Sequence, residues 1–172
     1  EIDKIVSKWQ FILNEEVKKV VANPDEVIYV AKDPLEARET PIRGEQTNLG
    51  KLIAEAMLKT TKADLAFFNG GSVRIDDQLH GNITPVDIFR TLPYGGAIFT
   101  IEVKGDFLKK ILDFGQNNKG KGAYLQRANA DWDATTQTWM IGGKPLDSKK
   151  VYKAAITDFL LTGYDIPFLT HE

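Results

Sequence analysis

Asp64-Leu-Ala-Phe-Phe-Asn69-Gly70-Gly71-Ser72-Val73-Arg74 is the stretch on which the reading of this chain turns. Its apolar run reads as a buried strand, and it passes without a linker into Asn-Gly-Gly, the strongest turn signal in the sequence. Glycines at the end of a buried strand let backbone approach a ligand closely and leave amides free to point at it. Arg74 then adds a guanidinium. Alone, the hexapeptide Asn69 to Arg74 reads equally well as a tight turn followed by an exposed arginine, so its meaning depends on the neighbours.

On the N-terminal side, Leu49, Leu52, Ile53, Ala56 and Met57 recur at helical spacing. Val27-Ile-Tyr-Val30 reads as a short strand, and the polar residues after it, with Pro34 and Pro41, read as a loop. Ile2, Ile5, Val6, Trp9, Ile12, Leu13, Val17, Val20 and Val21, closed by Pro24, predict an amphipathic helix from residue 2 to about 22 that packs on a neighbour. On the C-terminal side, Thr84-Pro85-Val86-Asp87 supplies a capping hydroxyl, a proline at the first helical position and a carboxylate at the third, which starts a short helix. Phe99, Ile101 and Val103 alternate with Thr100, Glu102 and Lys104 as a half-buried strand, and Gly105-Asp106 opens a helix through Phe114. Gln116 to Gly122 reads as a polar surface loop. Short strands follow around Tyr124 to Ala128, Thr138 to Ile141 and Val151 to Ile156, with a turn at Gly142-Gly143-Lys144-Pro145. Helices and mostly non-parallel strands without a regular βαβ alternation predict an α+β single domain with a mixed β-sheet and packed helices.

The composition narrows the chemistry. The chain has 172 residues, 42% hydrophobic and 27% charged, with a formal net charge of -2, so the basic footprint of a nucleic-acid polymer binder is missing. No apolar run approaches the roughly 20 residues of a membrane span. With no initiator Met and no signal-peptide pattern, the chain is expected to be an excised or processed piece of a longer protein. Cysteine is absent and His80 and His171 are the only histidines, neither in a ligand-spaced motif, so no metal site is expected within the chain. Nucleophile-elbow, phosphate-loop and dinucleotide motifs are missing too. The residues therefore describe a binder. Its candidates are the Asn69 to Arg74 turn, Leu92-Pro93-Tyr94-Gly95-Gly96, and the segment from Asp158 and Phe159 to Gly163-Tyr164-Asp165.

Taken in order, these segments resemble the C-terminal domain of the 5′-nucleotidase family, over about residues 40 to 166. Its carriers are Arg43 ahead of Thr47 to Met57, Asp64 through Arg74, Gly81-Asn-Ile-Thr84, Leu92 to Gly96, Val103 to Leu108, and Tyr152 through Phe159 to Asp165. The resemblance implies that Tyr94 and Phe159 stack on a base, Asn69 contacts it, Asp165 takes the ribose hydroxyls, and Arg43 and Arg74 meet phosphate, with Gly70 and Gly71 shaping the turn. Physical chemistry permits each role. Two aromatic faces sandwich a base at ~1–3 kcal/mol each, and guanidinium forks match phosphate oxygens in a bidentate way.

The resemblance further implies a separate N-terminal metallophosphoesterase domain in the same parent chain, carrying two divalent ions such as Zn or Mn. This chain alone, with no cofactor of its own, is then expected to be inactive, and the parent a 5′-nucleotidase-type hydrolase that is periplasmic, cell-surface or secreted. The sequence departs from the family in two places. Gly163-Tyr164-Asp165-Ile166 replaces the common Gly-Gly-Asp-Gly, and Thr47 stands where some bacterial members have a second arginine, which implies weaker binding of polyphosphates. Two other readings remain open: the substrate domain of a related thiosulfohydrolase-like enzyme, and a non-catalytic nucleotide-binding module.

Overall fold

The structure is a computed structural model that describes residues 2–21 and 23–170, with the side chains of Gln10, Leu13 and Asn14 outside the description. The expectations placed on the Leu13 side chain and on His171 lie outside the described residues. Along the chain run α1 (Ile2–Val20), β1 (Tyr29–Glu36), α2 (Glu39–Ile42), α3 (Asn48–Thr61), β2 (Leu65–Asn69), β3 (Gln78–Ile83), α4 (Pro85–Thr91), β4 (Ile98–Lys104), α5 (Gly105–Asn117), β5 (Leu125–Ala128), β6 (Ala130–Asp133), β7 (Thr138–Ile141), β8 (Lys144–Pro145) and β9 (Val151–Thr157). The class is α+β, as the sequence predicts.

A four-stranded sheet, ordered β4-β9-β2-β5, is the centre of the molecule. Strand β2 runs parallel to β9 and antiparallel to β5, so the sheet is mixed. All five residues of β2 are buried because the sheet is covered on both faces. Leu65 and Phe67 join Leu108, Ile111, Leu112, Trp139 and Ile156 in one core, while Ala66 and Phe68 join Leu49, Ala54, Met57, Leu79 and Ile83 in another. The period of two along a strand thus sends alternate side chains into separate cores. Helix α5 and the small β6-β7-β8 sheet supply residues to the first, α3 and the β1-β3 ribbon to the second.

The start expected at Thr84-Asp87 is met, and Thr47 adds a cap that the sequence reading did not name. Thr47 Oγ1 accepts from the Gly50 amide at 3.0 Å to start α3, and Asp87 accepts from the Thr84 amide at 2.9 Å to start α4.

Three expectations need correction. Helix α1 forms, but Ile2, Ile5, Val6, Trp9, Phe11, Ile12 and Val20 remain exposed, so the predicted packing of its apolar face is not seen among the described residues. Strand β1 does not end before Pro34 but continues through it to Glu36. The ladder with β3 has an irregularity between Ala31 and Leu35, where a proline without an N–H is tolerated. The Gln116 to Gly122 segment lies at the surface, as expected, but its first two residues belong to α5, and its backbone is tied to the body of the domain: the Gly120 amide donates to Arg43 O at 2.7 Å, and the Gly71 amide to Gly122 O at 3.0 Å.

Candidate functional site

Strands β2 and β9 lie side by side and parallel, with Phe67 opposite Ile156, so both end at one edge of the sheet. Chains leaving parallel strands in the same direction create a crevice there. A cavity of about 840 Å³ opens at that edge, with Phe68, Asn69, Gly71 and Ser72 from the end of β2, Thr157, Asp158, Phe159 and Thr162 from the end of β9, and Tyr94 to Ile98 from the loop before β4. Ile53 and Met57 of α3 and Ile88 of α4 complete an apolar wall.

The floor is polar and tightly held. Asn69 is only 3% exposed; its Nδ2 donates to Asp165 Oδ2 at 2.8 Å, and its Oδ1 accepts from the Ser72 hydroxyl at 2.6 Å. Burial raises the Asp165 carboxyl above its ordinary value, while the Asn69 hydrogen bond and the charge of Arg43 pull the other way. Arg43 is paired with Glu39 at 2.7 Å, and its Nε is buried without a partner among the described residues. The backbone around Arg43 is fixed by Gln126, whose Nε2 donates to Ile42 O at 2.8 Å and Glu45 O at 2.6 Å, and whose Oε1 accepts from the Thr47 amide at 3.0 Å.

Gly70 does not line the cavity. It presses on the same segment from behind, where a Cβ would collide with the Ile42 carbonyl oxygen. Gly71 lines the cavity, its Cα side closed off by Gly122.

The rim is aromatic and open. Tyr94 is 75% exposed, Phe159 39% and Tyr164 82%. Tyr94 sits before Gly95 and Gly96, whose φ values of 62° and 110° suit glycine. Asp158 ties the two rim segments together: its Oδ2 accepts from the Ala97 amide at 3.0 Å, its amide donates to Ala97 O at 2.9 Å, and its Oδ1 accepts from the Phe159 amide at 2.8 Å. The Tyr164 ring lies 6.1 Å from that of Phe159 at an interplanar angle of 55°. Arg74 is exposed, with Nη1 donating to Gly71 O at 3.4 Å and its Cζ 5.7 Å from the centre of the Tyr94 ring.

Of the residues selected in the sequence, Asn69, Gly71, Tyr94 and Phe159 line one cavity, and Asp165 joins them through Asn69. Arg74 stands beside Tyr94, and Arg43 lies within the field of Asp165. Thr47 is buried and spends its hydroxyl on the α3 cap. Ser72 and Asp158 fall within candidate segments without a role assigned to them, and Thr157 and Gln126 were not selected in the sequence. Thr157 lines the cavity, and its hydroxyl is buried without a partner among the described residues. A glutamine in a short strand that is buried throughout was the one available signal for Gln126.

Among the described residues no three His, Cys, Asp or Glu side chains come together to hold a metal ion. No helix of the described residues is long and apolar enough to cross a membrane. Fold and cavity together define an α+β domain with a ligand-sized cleft at its strand ends. The model of the 5′-nucleotidase C-terminal domain matches residues 27–171, and the chain belongs to that family.

UshA of Yersinia enterocolitica is 37% identical over 136 residues, which cover 76% of this chain and 24% of UshA. This chain thus spans about a quarter of the length of the curated relatives it matches. The crystal structure of a 5′-nucleotidase precursor from Thermus thermophilus has the same fold, with a TM-score of 0.75 at 24% identity over 91% of this chain and 34% of that one. The sulfate thiohydrolase SoxB, also from Thermus thermophilus, shares the fold with a TM-score of 0.65 at 14% identity over 88% of this chain and 30% of its own.

Proposed function

We propose that this chain is the nucleotide-recognition domain of a metal-dependent 5′-nucleotidase-type phosphohydrolase. The observation that carries the reading is the convergence of Tyr94, Phe159 and Asn69 on one cavity, with Asp165 hydrogen-bonded to Asn69 at its floor. In this reading the base enters between Tyr94 and Phe159 and meets Asn69 at its edge. The ribose hydroxyls donate to Asp165, whose Oδ1 carries no hydrogen bond from the described residues. Arg43 and Arg74 hold the phosphate, and the buried, unpartnered Nε of Arg43 gains an acceptor on binding.

Activation of water belongs to an N-terminal metallophosphoesterase domain of the parent chain, where two divalent ions such as Zn or Mn would supply the nucleophile and polarise the phosphate. This chain by itself is then inactive, and the parent works in the periplasm, at the cell surface or as a secreted enzyme. The aromatic pair and Asp165 favour a nucleoside over the inorganic sulfur substrate of a thiosulfohydrolase-like relative. A non-catalytic module would use the same cavity with no partner domain.

An NMR titration with adenosine and its monophosphate tests the binding reading. Shifts at Asn69, Tyr94 and Phe159 are expected at millimolar ligand, an affinity of about -4 kcal/mol that one stacked base and two hydrogen bonds can supply after the ordering cost. Silence at those residues up to roughly ten times that concentration overturns it.

A further inference from the structure

The backbone that carries Tyr164 is fixed on both sides, although the side chain itself stands in solvent, 82% exposed. On one side the Thr162 hydroxyl ties it to Phe159: it donates to Phe159 O at 2.7 Å and accepts from the Tyr164 amide at 3.2 Å. Thr162 is bridged in turn to Thr170, and Gly163 adopts a φ of 74° where a Cβ would meet Thr170 Cγ2. On the other side Asp165 accepts from Asn69 Nδ2 at 2.8 Å, and Ile166 is fully buried. With its backbone anchored, the Tyr164 ring moves only through its own side-chain torsions. It rests 6.1 Å from the Phe159 ring at an interplanar angle of 55°, within the range of attractive aromatic pairs. Phe159 lines the cavity and Tyr164 does not, so this contact leaves the cavity side of the Phe159 ring open to a ligand. The Phe159 ring is itself 39% exposed and has solvent to swing into.

We propose that Tyr164 is a positioning residue of the base site: its ring holds that of Phe159 in the orientation that stacks on a base. The proposal rests on the nucleoside reading of the cavity and adds to it the device that readies the stacking face. A site that is competent for only a fraction of the time binds more weakly by that fraction. Without Tyr164 the Phe159 ring leaves the stacking orientation more often, and an entering base has to order it at its own cost. The loss falls on every base alike, because a ring is readied and no hydrogen bond is chosen.

The test compares the unmodified protein with Tyr164→Ala and Tyr164→Phe, each titrated with adenosine, uridine and adenosine monophosphate. Tyr164→Ala is expected to weaken all three by the same factor, about fivefold, since the contact shifts the Phe159 equilibrium by no more than the worth of one aromatic pair. Tyr164→Phe, which keeps the ring and loses the hydroxyl, is expected to match the unmodified protein. Urea midpoints should stay where they are in both variants, given the exposure of the side chain. The readout that separates positioning from direct contact needs no ligand: three-bond couplings to the Phe159 β-protons should report one χ1 rotamer in the unmodified protein and in Tyr164→Phe, and an average over several in Tyr164→Ala. Unchanged affinity in Tyr164→Ala overturns the proposal. Weaker binding with unchanged couplings overturns it too, by making Tyr164 a ligand contact, and a Tyr164→Phe variant as weak as Tyr164→Ala overturns it by giving the effect to the hydroxyl. Failure of the unmodified protein to bind any of the three ligands overturns the nucleoside reading instead, while the couplings still decide whether Tyr164 holds Phe159.

Discussion

The floor and the rim of the cavity are built on opposite plans. Asn69, Ser72 and Asp165 form a floor in which side chains are tied to one another, and the backbone beside Arg43, whose side chain pairs with Glu39, is pinned by Gln126 and pressed by Gly70. Tyr94, Phe159 and Tyr164 form a rim that is largely exposed and held through the hydrogen bonds of Asp158. Hydrogen bonds lose strength steeply with angle, so groups that must meet a specific donor or acceptor gain from being fixed in advance. Stacking tolerates sliding and rotation. A rim that closes on the ligand therefore costs some ordering entropy but little selectivity. Chemistry that discriminates sits where the fold is stiff, and chemistry that merely adheres sits where it is loose.

The largest expected effect comes from breaking the floor through its backbone. Gly70→Ala places a methyl against the Ile42 carbonyl oxygen, and neither atom sits on a flexible side chain. A loss of about 1–3 kcal/mol in stability is expected, as for other overpacking substitutions. Gly105→Ala is the control: its Cβ would collide with the Asp147 carbonyl oxygen, at the opposite end of β4 from the cavity-lining Ile98. Urea midpoints should fall for both, whereas nucleotide affinity, measured where both remain folded, should fall only for Gly70→Ala. Equal affinities would mean that the seating of Arg43 does not depend on a rigid floor.

How much of this was legible beforehand follows the same division. The buried run of β2 and the Thr84-Asp87 box are local patterns, and the structure repeats them. Strand β3 was not legible, because Gln78, His80, Gly81 and Asn82 show no apolar alternation and only Leu79 and Ile83 are buried; the ladder with β1 makes it a strand. Pro34 misled for a related reason, since its effect depends on where the ladder is irregular. The aromatic rim residues stand out in sequence as aromatics in loops. The roles of Asp158 and Gln126 do not, because each acts through a partner chosen by tertiary structure, as when Asp158 meets Ala97 across the sheet edge. Even Asn69 was selected without the partners that orient it.

A second effect, smaller in stability and confined to binding, comes from the rim. Phe159→Ala should weaken adenosine and its monophosphate alike, by about 1–3 kcal/mol, because stacking acts on the base and ignores the 5′ substituent. Its unfolding midpoint should move less than that of Gly70→Ala, given the exposure of the ring. Arg74→Ala should weaken only the monophosphate, and the gap between the two ligands should narrow further with added salt. Calorimetric titration of the four protein and ligand pairs checks this. An equal loss of adenosine affinity in both variants would place Arg74 among the base contacts and break the division between an adhesive rim and a charged one.

The smallest effect is in protons, and it asks whether the floor is shaped for a neutral hydroxyl. Burial holds the Asp165 carboxyl above its ordinary value. Glu36, on the ribbon away from the cavity, goes the other way, down to about 2, chiefly through its hydrogen bond from Arg38. A carboxyl whose folded value is raised contributes stability that is present below its unfolded value and lost as pH rises through the folded one. A lowered carboxyl contributes stability that is present above its unfolded value and lost as pH falls through the folded one. Acidification from neutral pH should therefore shift stability in favour of the unmodified protein relative to Asp165→Asn, and against it relative to Glu36→Gln. Urea midpoints across the acid range read both differences, and slopes of the same sign would contradict the burial argument for Asp165. Binding supplies the complementary half. Adenosine affinity should decline on acidification from a pH above the ordinary aspartate range, because a protonated Asp165 gives up an acceptor that the ribose hydroxyls need, and Asp165→Asn should flatten that decline while erasing the preference for ribose over 2′-deoxyribose.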